Sequence, residues 1–375
     1  MPSPPHRREA LFCVTLFVIW GRPMTQDTTS TDLKTLGWSQ FFTSQLSIEE
    51  LETLTPMRLS EVRRRSVVAL SAGLERLDIS LTGDHVATDM AVGDFVLSDG
   101  ERIIRRLDRR TLISRRAAGV AATAQLIAAN IDTLFITTSC NTDFNEARLE
   151  RYLAIAIEAE AAPVIVITKA DRPEDIPVEA YVDRAKAIYE RAEILAINAK
   201  DPADIARLEH YCGTGQTLAL VGSSGVGKST IARGLTGEDL DVGDIREDDA
   251  KGRHTTTARS MHRMHAGGWL IDTPGMRELA LHDAMEGIGT LFEDITDLAM
   301  TCKFSDCQHR TEPGCAIRAA IDSGVLDEPR VERWRKLMEE DSRNSESISE
   351  TRGRGRKFSK MVKQAKKVKS GKRGE

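Results

Sequence analysis

The run Gly222-Ser223-Ser224-Gly225-Val226-Gly227-Lys228-Ser229 has the residue types and spacing needed to hold a nucleotide phosphate chain. Glycines at its first, fourth and sixth positions let the backbone curl until its N–H groups converge on phosphate oxygens. Lys228 is placed to neutralise the β and γ phosphates, and the Ser229 hydroxyl to coordinate Mg²⁺. Strand-like Thr217 to Val221 precedes the run, and Thr230 continues it into a helix whose N-terminal dipole favours an anion. A chance glycine-rich turn is the bland alternative, and the flanking strand and helix argue against it.

Two further motifs share this chemistry. Asp272-Thr273-Pro274-Gly275 follows the strand-like Trp269 to Ile271. Asp272 is expected to hold Mg²⁺ through a water, and the Gly275 N–H to meet the γ-phosphate. Thr168-Lys169-Ala170-Asp171 ends the strand-like Val164 to Ile167. The Asp171 carboxylate can accept from the guanine N1–H and 2-amino group, a donor pair adenine lacks. Lys169 can pack its stem over the base. Asn is common in place of Thr168, where it braces the phosphate loop; the Thr hydroxyl keeps that ability with less reach. Asn198-Ala199-Lys200 stands where a second base-contacting loop would offer a backbone N–H to guanine O6. The order is unusual: the base reader precedes the phosphate loop, and the magnesium motif comes last. All parts of a GTPase are present in a circularly permuted order.

Gly252-Arg253-His254-Thr255-Thr256-Thr257 lies between phosphate loop and magnesium motif. One of Thr255, Thr256 and Thr257 is expected to ligate Mg²⁺ and act as a switch; the sequence does not choose among them. Met276 occupies the position where many GTPases carry a water-orienting Gln, so intrinsic hydrolysis should be slow. Lys228 and His254 are the catalytic candidates. His254 either orients the attacking water or merely anchors its loop.

Cys302, Cys307, His309 and Cys315 offer three thiolates and an imidazole within fourteen positions. Such a closed donor set suits a structural zinc ion rather than a catalytic one. Pro313-Gly314 supplies the turn before the last ligand. Cys13, Cys140 and Cys212 are scattered, with no disulfide framework, as in a reducing compartment.

The elements that must position these groups fall into zones. Leu77, Ile79 and Leu81 alternate with polar residues, and Ser66 to Leu70, Asp94 to Leu97 and Arg102 to Leu107 read as further strands. A five-stranded OB-fold barrel over 63–118 accommodates them. Its end is crowded by Arg105, Arg106, Arg109, Arg110, Arg115 and Arg116, which suit either an RNA-binding rim or a scaffold with charged turns. Residues 119–283 alternate apolar runs with helical stretches, the pattern of a doubly wound α/β sheet. Residues 284–340 read as a zinc-binding helical domain. Within a leader spanning 1–62, residues 41–62 suggest a short helix.

The net charge of −5 hides an asymmetry. From Thr351 to Glu375 there are eleven Lys or Arg and one acid, so this tail carries +10 and the rest −15. Residues 341–375 are expected to be disordered, with a polyanionic partner or plain solvation as readings of the charge. His6-Arg7-Arg8 and apolar Ala10 to Trp20 mimic a secretory signal, but the run is too short to span a bilayer and no small-residue cleavage site follows. Translation from Met24, with 1–23 an over-extended start, is the favoured reading, and a signal peptide the alternative.

The permuted order, the switch run and the later cysteine cluster together resemble the RsgA (YjeQ/YloQ) family of small-ribosomal-subunit biogenesis GTPases, over about Arg63 to Met338. The resemblance implies an α/β fold: a permuted P-loop GTPase domain between an OB-fold barrel and a helical domain with zinc on the four ligands. It also implies GTP hydrolysis stimulated by the small ribosomal subunit late in its assembly, with rRNA as partner. A cytoplasmic, monomeric protein using Mg with GTP or GDP, with no membrane partner, is the expectation. Alternatives are a P-loop NTPase of another role and a non-catalytic, nucleotide-gated RNA-binding protein.

Overall fold

The computed structural model describes residues 33–81, 86–116, 124–238, 240, 259–272 and 281–345. Five antiparallel strands form the first unit: β1 (Thr55–Val62), β2 (Ser66–Leu70), β3 (Arg76–Ser80), β4 (Phe95–Ser98) and β5 (Ile103–Arg106). β1 is central, pairing with β2 on one side and β4 on the other; β3 and β5 extend the two flanks. Side chains alternate as the pleat requires. Met57, Leu59, Val67, Ala69, Ile79 and Val96 fill the OB-like interior, while Leu70, Phe95 and Leu97 face outward into the main core.

The first strand begins at Thr55, within the expected 1–62 leader. The sequence of β1 hid it. Met57 and Leu59 alternate with Arg58 and Ser60, which read as a solvent face but are buried. Residues 41–62 are therefore not one helix: short helices at Gln40–Thr43 and Ile48–Thr53 lead into β1. From residue 33 the leader also packs against the rest of the chain, with Leu33, Leu36 and Phe42 in the main core and the Trp269 indole donating to Thr35 O at 2.7 Å.

A hairpin of β6 (Leu112–Arg116) and β7 (Ala124–Ala129) connects the barrel to the second unit. There β8 (Thr133–Ser139), β9 (Ala162–Thr168), β10 (Glu193–Ala196), β11 (Thr217–Gly222), β12 (Ser260–Arg263) and β13 (Trp269–Asp272) follow. The spatial order is β10-β9-β8-β11-β13-β12, parallel except for β12. β12 also meets β1 at Ser260↔Glu61, so one hydrogen-bonded sheet runs through both units. Its central strands are apolar on both faces, as parallel strands between helical layers must be. Phe135, Val164, Leu218 and Leu270 face one layer, while Leu134, Ile165, Ala219 and Ile271 face the other.

The helices Met285–Leu291, Glu293–Met300, Ala316–Asp322 and 328–345 form the third unit. The last helix runs past the expected start of the disordered tail at 341. The reason is local: Asp341 is buried and accepts from Ala284 N at 2.9 Å. Gly287 crosses the Glu146–Glu158 helix so closely that a Cβ would lie 2.2 Å from Ala154 O. That contact is reinforced by Arg333 Nε, 2.9 and 2.8 Å from the two oxygens of buried Glu150, and by Arg151 to Glu340 at 2.5 Å. Among the described residues no helix is long and apolar enough to cross a membrane. The leader up to residue 32 and the basic tail from 346 lie outside the described residues.

Candidate nucleotide site and metal centre

Parallel pairing brings together at one sheet edge what the chain separates. Gly222 of β11 is in register with Thr137 of β8, Ser139 of β8 with Thr168 of β9, and Ile167 of β9 with Ala196 of β10. The phosphate loop, Thr168-Lys169-Ala170-Asp171 and Asn198-Ala199-Lys200 therefore leave the same edge, and Asp272 ends β13 beside them.

Gly222 crosses so near β8 that a Cβ would sit 2.2 Å from Thr137 O. Gly227, at φ +97°, begins the helix Lys228–Thr236, which includes Ser229 and Thr230. Ser223, Ser224, Gly225 and Val226 complete the loop. Lys228 is buried, its ammonium 3.0 Å from Gly222 O and also bonded to Ser223 O. The Thr168 hydroxyl lies 2.6 Å from Val226 O and 3.1 Å from Thr138 O. It thus reaches from Thr168-Lys169-Ala170-Asp171 into the glycine-rich loop.

The two loops expected to read the base brace each other. Ala170 N donates to Ile197 O at 3.1 Å, and Asn198 N to Asp204 Oδ2 at 2.7 Å. The Asn198 N–H is the main cause holding the Asp204 carboxyl below its ordinary range. Lys200 N donates to Asn198 Oδ1 at 3.0 Å, closing the turn around Ala199. Lys169 takes a left-handed φ of 59° with its ammonium 4.0 Å from Asp143. Cys140 lies near the charge of Asp171; burial first, then that charge, pushes its thiol up to about 11. Cys140 and Asp143 carry no motif, and only the strand ends reveal them.

His254, Thr255, Thr256, Thr257 and Gly275 lie outside the described residues, as does Met276.

The four predicted metal ligands converge, their donor atoms all within 4.8 Å of one another. Cys302 Sγ is 3.4 Å from His309 Nδ1 and 4.0 Å from Cys315 Sγ, and Cys315 Sγ is 3.7 Å from the same nitrogen. A tetrahedral ion with zinc-like bond lengths needs edges of about 3.6–3.8 Å. The sulfurs are too far apart for a disulfide, and Cys302, Cys307 and Cys315 are free thiols. Burial, then the Arg335 cation, lowers the His309 pKa and keeps the imidazole in the neutral form a metal requires. Arg335 also donates to His309 O. Glu312 accepts from the backbone N–H groups of Gln308 and Arg310 at 2.8 Å and Thr311 at 2.9 Å, shaping the ligand loop.

The arginines at the barrel's end divide. Arg109 is paired at 2.6 Å with Asp94, whose side chain is buried, Arg105 at 2.8 Å with Glu50, and Arg110 at 3.4 Å with Asp132. These three hold the fold, the scaffold reading of that cluster.

A model of the RsgA GTPase family matches residues 106–282. "Small ribosomal subunit biogenesis GTPase RsgA" from Mesorhizobium japonicum is 49% identical over 330 residues, covering 86% of this chain and 94% of that protein. The chain belongs to the RsgA GTPase family. "Small ribosomal subunit biogenesis GTPase RsgA 2" from Vibrio parahaemolyticus is 44% identical over 341 residues, covering 89% of this chain and 92% of that protein. Two solved structures share the fold. YjeQ from Thermotoga maritima aligns with a TM-score of 0.55 at 24% identity, over 76% of this chain and 97% of that one. YloQ, described as a circularly permuted GTPase, gives 0.55 at 20% identity, over 78% and 96%. The architecture is thus a permuted P-loop GTPase fold with an OB-like strand unit and a helical unit bearing a Cys/His cluster able to hold a metal ion.

Proposed function

We propose that this RsgA GTPase hydrolyses GTP on the small ribosomal subunit and assists its late maturation in the cytoplasm, acting as a monomer. The observation that carries the reading is the convergence of the phosphate loop, both base-reading loops and Asp272 on one sheet edge, in a chain close to RsgA proteins over most of its length. Lys228 would compensate phosphate charge, Ser229 and Asp272 would carry Mg²⁺, and Asp171 would select guanine. Zinc would occupy Cys302, Cys307, His309 and Cys315 and hold together a segment too small for its own core. The OB-like unit, the helical unit and the basic tail would contact rRNA, with phosphate contacts weakened by salt. The units proposed are a barrel over 63–118 with β1 added, the GTPase unit over 119–283 and the zinc unit over 284–340. His254 would orient the attacking water once the subunit orders its loop.

The test is phosphate release from GTP with and without purified small subunits. The unmodified chain should show slow basal turnover and a large subunit-dependent rise. Lys228→Ala should lose both, and His254→Ala should lose the rise while still binding GTP. Turnover indifferent to small subunits would overturn the reading.

A further inference from the structure

We propose that Arg148 is a positioning residue of the nucleotide site, holding the phosphate loop through Ser223 and biasing it toward a triphosphate. Arg148 lies in the first turn of the Glu146–Glu158 helix, its N–H donating to the Asn145 side chain that caps the helix at 3.0 Å. Its guanidinium donates to the Ser223 hydroxyl. On its other side, the Ser223 carbonyl accepts from Lys228 Nζ. The second residue of the phosphate loop is therefore held between two cations on different helices.

A cation in this place needs explaining. The first turn of a helix carries partial positive charge, so arginine is electrostatically disfavoured there. Nearby acids do not compensate it: Glu146 pairs with Arg184 at 3.1 Å and Arg333 at 3.4 Å, and Glu150 with Arg333 at 2.8 Å. Among the described residues no carboxylate pairs with Arg148, whose guanidinium instead meets the neutral Ser223 hydroxyl. A half-buried, uncompensated guanidinium on a phosphate loop is completed by the charge of a bound polyphosphate. Because the field acts on total charge, the gain is larger for GTP than for GDP. A loop that depended on Arg148 only for shape would lose affinity for both nucleotides alike.

This inference rests on the nucleotide-site reading. Its test is equilibrium titration of the full chain with fluorescent GTP and GDP analogues, for Arg148→Met, Arg148→Lys, Ser223→Ala and the double variant R148M/S223A. Arg148→Met is expected to weaken GTP about tenfold and GDP about threefold, as removal of one nearby charge predicts. Ser223→Ala should weaken GTP in the same sense, and the double variant should be no weaker than the weaker single one, because both changes break one contact. Arg148→Lys should restore most of the preference for GTP. An unchanged GTP-to-GDP ratio in Arg148→Met, or fully additive losses in the double variant, would overturn the proposal while leaving the nucleotide site intact. Ser223→Ala keeps the test decisive where Arg148→Met fails to fold. Failure of the unmodified chain to bind GTP would overturn both readings.

Discussion

At the scale of single residues, the informative substitution is Thr168. Its hydroxyl donates to Val226 O at 2.6 Å, tying the Thr168 side chain to the glycine-rich loop. Thr168→Val keeps the shape and removes the donor, leaving a buried carbonyl without it, a loss of about 1–3 kcal/mol. Affinity for GTP and GDP should fall together by roughly tenfold in equilibrium titration; unchanged affinities would show that the brace is dispensable. The motif residues stood out in the sequence because the phosphate, Mg²⁺ and guanine chemistry proposed for them demands particular atoms at short spacing. Cys140, Asp143 and Arg148 did not, because their importance comes from strands and helices that are distant along the chain.

At the scale of elements, the metal loop depends on a residue outside the ligand set. Glu312 is held down to about 2 chiefly by backbone N–H donors, its own and that of Gln308 first. A carboxylate depressed in the folded state gives its support above its ordinary titration range and loses it as pH falls through the folded value. At neutral pH the support is complete. Glu312→Gln should therefore speed metal release to a chelator several-fold at pH 7, read as the rate of zinc transfer to a coloured indicator, with the bound stoichiometry unchanged. An unaltered release rate would show that the ligands alone shape the loop. The central strands of the main sheet were readable as continuous apolar runs. β1 and β12 escaped because buried Arg58 and Ser60 and the polar Ser260-Met261-His262-Arg263 mimic surface segments. Whether a polar residue faces water or a carbonyl is decided by packing.

At the scale of the molecule, Arg58 joins three parts of the chain. Its guanidinium is fully buried and donates to Leu36 O at 2.6 Å, Asn130 O at 3.0 Å and Gly93 O at 3.2 Å, lying 5.1 Å from the Phe95 ring centre. Burial pulls its pKa down to about 10, against the opposing charges of Asp132 and Asp94, so it stays charged at neutral pH. Arg58→Met would leave those carbonyls without their donor and should cost about 3–5 kcal/mol in urea unfolding. A loss below about 1 kcal/mol would mean that the β1–β12 pairing and the leader hold the units without it. The helical unit is bound differently. Its first residues are held by the last helix, the Asn344 side chain donating to Leu281 O at 2.7 Å and Ala284 N donating to Asp341 at 2.9 Å. Residue types and spacing carried the chemical expectations: a loop for phosphate, a loop for guanine, four side chains able to take a metal, and a permuted order. Those are local demands on residue type and spacing. Packing in three dimensions shows that the chain from residue 33 belongs to the fold, that one sheet runs through two units, and that Arg148 meets Ser223. These follow from hydrogen-bond partners and close packing between segments far apart along the chain, which no local pattern encodes.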